Sequence, residues 1–126
     1  MRPDYTPYWT ELRAELSKAG FNGSLISEDE LFALVNLDHG WILSFECEQN
    51  YGPAFTISIA PALHDLKTGK GYAVHLLMKV FAQKFQQSAQ LPTIRNQVDF
   101  LKQQQEILFT NSDFYSADYT RLNLIV

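Results

Sequence analysis

Residues 41–60 read WILSFECEQNYGPAFTISIA, two alternating runs on either side of Asn50-Tyr51-Gly52-Pro53. Successive side chains of an extended strand point to opposite faces. Trp41, Leu43, Phe45 and Cys47 therefore share one face, and Ile42, Ser44, Glu46 and Glu48 share the other. The return run repeats the scheme, with Phe55, Ile57 and Ile59 on one side and Thr56 and Ser58 on the other. This pattern predicts an antiparallel sheet with one face on the core and one in water.

Working outward, residues 31–37 add a third strand, because Asp38-His39-Gly40 between two apolar runs is a hairpin signal. Ser27-Glu28-Asp29-Glu30 also resembles a capping box, which would start a short helix through Leu34. With the strand preferred, residues 28–30 become a solvated lead-in. Further back, Thr6-Pro7 opens a helix, the hydroxyl placed to cap free amides and the proline suited to the first helical position. Trp9, Leu12 and Leu16 form its apolar stripe, and Gly20 ends it.

Beyond Ala60, residues 61–71 are expected to be a loop and residues 72–85 a strongly apolar helix, with Val74, Leu77, Met78, Phe81 and Phe85 on one stripe. Pro92-Thr93 announces a third helix over residues 94–109, and Phe114, Tyr115, Tyr119 and Leu122 suggest a short last one. The expected architecture is a single α+β domain spanning residues 1–126. It comprises an N-terminal helix, a three-stranded antiparallel meander, then two or three helices packed on one sheet face.

The net charge of -4 disfavours nonspecific binding to phosphate backbones, so no nucleic-acid partner is expected. Nine carboxylates fall in residues 1–60 against three basic side chains. An acidic front half suits a basic protein partner, and ordinary solubility also explains it. Cys47 is the single cysteine, which excludes an internal disulfide and makes a reducing, cytoplasmic setting the default. No apolar run has the length of a signal-peptide core or of the roughly 20 residues a membrane helix needs, so no membrane association is expected.

The motifs that carry chemistry fail one by one. A P-loop reading of residues 64–71 would need glycine at 64 and serine or threonine at 71, where the chain has His64 and Gly71, so Lys70 takes no catalytic role. His39, His64 and His75 lack metal-ligand spacing, and His75 precedes Lys79 by one helical turn. No nucleophile elbow occurs. The chain is therefore read as non-catalytic, with no cofactor and no metal. What stands out is the wet sheet face: Glu46 and Glu48 project outward roughly 7 Å apart, with Thr56 and Ser58 on the neighbouring strand and Asp38 at the hairpin end. These five residues form the expected docking patch for a cationic protein. Two other readings are a ligand-binding or catalytic pocket between sheet and helices using His39 or His64, and a subunit that forms homo-oligomers through an edge strand or the C-terminal helix.

An N-terminal helix, a strand ending in FECE, the run YGPAFTISI and a long aromatic helix together resemble small bacterial proteins. In size, acidity and layout the chain is similar to immunity proteins that neutralise toxins passed between bacteria. That resemblance implies a non-catalytic cytosolic inhibitor masking a toxin domain, often a basic nuclease.

Overall fold

A computed structural model describes residues 1–50, 53–68 and 71–125 of the protein. The expected turn residues Tyr51 and Gly52, and Gly69 and Lys70 of the expected loop, lie outside the described residues.

The first helix, α1 (Thr6–Lys18), buries Trp9, Leu12 and Leu16, as their spacing predicts. Its end is a reversing turn around Gly20, whose φ of 84° is open to glycine at no steric cost. There the Phe21 amide donates to the Leu16 carbonyl and the Gly20 amide to that of Ser17, both at 3.0 Å. Its start corrects the expectation for Thr6. Tyr5 precedes the helix, and the Thr6 hydroxyl donates to the Arg2 carbonyl (3.1 Å) instead of capping a first-turn amide. The chain enters through a turn in which the Tyr5 and Thr6 amides both donate to Arg2, so the hydroxyl faces backwards.

The sheet has five antiparallel strands in chain order, where the sequence reading expected three. They are β1 (Leu25–Glu28), β2 (Phe32–Asn36), β3 (Ile42–Cys47), β4 (Phe55–Ala60) and β5 (Tyr72–Ala73). The middle three are the expected meander. β2 and β3 turn at Asp38-His39-Gly40, with His39 and Gly40 left-handed at φ 60° and 79°. β1 escaped notice because all four residues are exposed and a bulge between Leu25 and Ser27 breaks the alternation. Glu28 is thus the last residue of a strand and no solvated lead-in. β5 holds two residues that the helical stripe had absorbed; register with Ser58 and Ile59 of β4 makes them a strand. The Ala73 amide donates to the Tyr119 hydroxyl (2.8 Å).

Between β4 and β5, the expected loop contains a short helix, α2 (Leu63–Lys67). It returns so closely that a side chain at Gly71 would strike Leu66 at 2.9 Å and the Ile59 carbonyl at 3.3 Å. Four α-helices follow in α3 (Val74–Lys84), α4 (Ile94–Gln103), α5 (Gln105–Thr110) and α6 (Ser116–Ile125). The expected two or three become four because Gln104 breaks the third predicted helix into α4 and α5.

Leu43, Phe45, Ile57 and Ile59 of the inner sheet face are each at most 1% exposed. Burial of such side chains contributes about 1.5–3 kcal/mol apiece. Trp9 of α1 packs on Phe45 at 5.5 Å between rings, while α3 lies against β4 and β5. The helices α4 and α6 pack on α3, and α4 also on α1. The described residues contain no helix long and apolar enough to cross a membrane.

Candidate functional site

Three backbone features bring carboxylates together at one end of the sheet. In β3, Glu46 stands in register between Phe32 of β2 and Thr56 of β4. In the β1–β2 turn, Asp29 accepts the amides of Leu31 (2.9 Å) and Phe32 (2.8 Å), which leaves Glu30 exposed at the tip. The Cys47 amide donates to the Leu31 carbonyl (2.8 Å), so that tip sits beside Glu46 and Glu48.

Tyr5 pins this end. It is fully buried, and its hydroxyl donates to the Glu48 carbonyl (2.6 Å) while accepting the Ala54 amide (3.3 Å). Both strands of the β3–β4 hairpin are thereby tied to α1. The sequence reading missed Tyr5; its one signal was an aromatic residue directly before the helix start.

The cations nearby are already engaged. The amino group of Met1 pairs with Glu28 (2.8 Å) and Arg2 with Asp4 (3.3 Å). Glu46 and Glu48 make no ion pair among the described residues. Both are exposed, yet the flanking strands desolvate the Glu46 carboxyl and Glu48 repels its charge, so its pKa lies above the ordinary carboxylate value. Glu28 is the converse. Hydrogen bonds from the Met1 amine and the Trp9 indole hold its pKa down, the amine contributing most.

Of the five expected patch residues, the structure gathers Glu46, Glu48 and Thr56. Ser58 lies further along β4, half-buried beside Ser44, whose hydroxyl is buried with no partner among the described residues. Asp38 belongs to the opposite end. From the β2–β3 turn to Glu46 the strand runs about 20 Å, and Asp38 is half-buried with its carbonyl accepting the Trp41 amide (3.2 Å). The outer face is also less wet than expected, since Leu34, Ile42 and Ser44 are all at most 8% exposed.

The histidines do not converge. His39 lies at the β2–β3 turn with its ring 5.9 Å from that of Phe109, and His64 is exposed on α2. His75 is half-buried on α3, its pKa lowered by desolvation and then by Lys79. The described residues hold no cluster of three or more metal-ligating side chains. Burial, followed by the Asp4 charge, pushes the Cys47 thiol up to about 11, so at neutral pH it is protonated and a poor nucleophile.

Comparison of the chain with protein-family models, curated proteins and solved structures finds no match.

Proposed function

We propose that the protein is a non-catalytic binding module that docks a basic protein partner at the acidic end of its sheet. Its most concrete form is an immunity-type inhibitor that covers the basic active-site rim of a toxin domain, a reading that also draws on the likeness in size, acidity and element order. One observation carries it: Glu46 of β3 and Glu48 just beyond its end stand exposed, two residues apart, while nearby cations are held by other carboxylates. Unneutralised charge on a preorganised surface accelerates encounter with a cation and rejects like-charged competitors. Half-buried Tyr8 and Phe55, 5.2 Å ring to ring at the same end, supply aromatic area of the kind that anchors interfaces.

The test begins with co-purification against the product of the neighbouring gene. With a partner in hand, Glu46→Lys combined with Glu48→Lys slows association roughly tenfold or more at low salt, and added salt shrinks the difference. Unchanged association kinetics in that variant exclude this surface. Failure to recover any tight partner counts against the inhibitor reading itself.

A further inference from the structure

The segment joining α3 to α4 is held at both ends. At its start the Gln87 amide returns to the Ala82 carbonyl (2.8 Å) and the Gln86 amide to that of Gln83 (3.2 Å). This is the reversing turn seen at Gly20, made here with a glutamine at φ 54°. At its end Thr93 caps α4 by accepting the Asn96 amide (3.1 Å), the Asn96 side chain donates to the Leu91 carbonyl (2.9 Å), and buried Gln97 donates to the Pro92 carbonyl (2.8 Å).

Between this fixed segment, α3 and α4 opens a cavity of about 120 Å³. Engineered cavities of about 150 Å³ accept benzene, which sets the size class of a guest. Its apolar side includes Phe81, Phe85 and Phe100. Phe81 meets Phe100 at 5.0 Å and 84°, and Phe85 at 6.0 Å and 69°, in edge-to-face pairs. The polar side includes Asp99, Gln90 and Gln103, and no lysine or arginine among the described residues lines it. Asp99 is exposed and makes no ion pair among the described residues. Toward α1, Asp99 shares a groove with Lys18, Arg95 and Lys102, which have other contacts: Lys18 and Arg95 each meet Glu15 at 3.6 Å, and Lys102 lies over the Phe21 ring at 5.6 Å.

Aromatic faces are negative and attract cations, above all weakly hydrated ones. A carboxylate at the mouth adds a full charge of the same sign. An anion is repelled by both features, and a neutral apolar guest leaves the carboxylate and amides unused. An alkylated ammonium satisfies both, its carbon surface against the rings and its charge toward Asp99. We propose that this cavity binds a small organic cation of the alkylammonium class, independently of docking at the acidic sheet end.

The probe is choline, and the control is its neutral isostere in which a quaternary carbon replaces the nitrogen. Binding is followed by NMR at the Met78 methyl, which lines the cavity, and at the three phenylalanine rings. Saturable shifts confined to these groups are expected, with choline at least fivefold tighter than the isostere. Asp99→Asn, at an exposed site, weakens choline roughly fivefold and leaves the isostere unchanged; an unaltered thermal midpoint verifies the fold. Phe85→Leu, at a position 41% exposed, weakens choline severalfold. Equal binding of choline and isostere overturns the cation assignment. Absence of saturable shifts overturns the site.

Discussion

The two ends of the sheet are built from the same three central strands and differ in almost everything else. At the β2–β3 end, Trp41 packs on Phe109 at 5.3 Å and Tyr72 at 6.4 Å, and Tyr72 in turn meets Tyr115 and Tyr119. At the other end, Glu30, Glu46 and Glu48 face water around a backbone pinned by a single buried tyrosine. Helices from the C-terminal half cover the first end, whereas α1 and the N-terminal residues Met1 and Tyr5 pack on the second. Side chains of α5 and α6 close over the first end; at the second, Glu46 and Glu48 make no ion pair among the described residues. The difference separates an end closed by aromatic packing from an end that exposes carboxylates to water.

The strongest way to break the comparison is Trp41→Ala. Removing an indole 6% exposed leaves a cavity among Phe109 and Tyr72, and a loss of about 3–5 kcal/mol is expected in chemical denaturation. A loss below about 1 kcal/mol would show that the aromatic end does not hold the fold.

Tyr5→Phe probes the acidic end. It leaves the Glu48 carbonyl and Ala54 amide without their hydroxyl, at about 1–2 kcal/mol. Faster hydrogen exchange at Ala54 should accompany the loss, with Ile42 and Ala60 unaffected. Uniform acceleration along β4 would mean the pin is not local.

The smallest effects are the sharpest, because two carboxylates at one end must respond with opposite signs. Glu28 has a folded pKa below its unfolded one, so its contribution is full above the ordinary carboxylate range and lost as pH falls through the folded value. Glu28→Gln therefore lowers the thermal midpoint at neutral pH, a difference that fades in acid. Glu46 has a folded pKa above its unfolded one, so its charged form destabilises the fold above that value and the penalty lifts as pH falls toward the ordinary one. Glu46→Gln raises the midpoint at neutral pH by less than about 1 kcal/mol in stability, since water screens the exposed carboxyl. The same sign from both variants would remove the distinction between a paired and an unpaired carboxylate.

Local pattern made much of this legible. Alternation in residues 41–60 placed Leu43, Phe45, Ile57 and Ile59 inward and Glu46 and Glu48 outward, and Asp38-His39-Gly40 marked its turn through left-handed residues. What stayed hidden has specific causes. An edge strand such as β1 buries none of its residues and so carries no hydrophobic period. Tyr72-Ala73 reads as the start of an apolar helix until β4 is beside it. Asp38 was grouped with Glu46 because side-chain parity says nothing about distance along a strand. The cavity between α3 and α4 depends on a glutamine in a conformation where glycine is the usual signal.

The sequence by itself determined the inner face of β3 and β4, where α1 stops and where β2 turns into β3, because periodicity and turn chemistry act over a few residues. Tertiary structure alone decided that five strands align, that Tyr5 reaches across to the β3–β4 hairpin, and that Glu46 stands unpaired while Glu28 is held. Those outcomes depend on which groups meet over separations of some 20–50 residues, and no local preference encodes such a meeting.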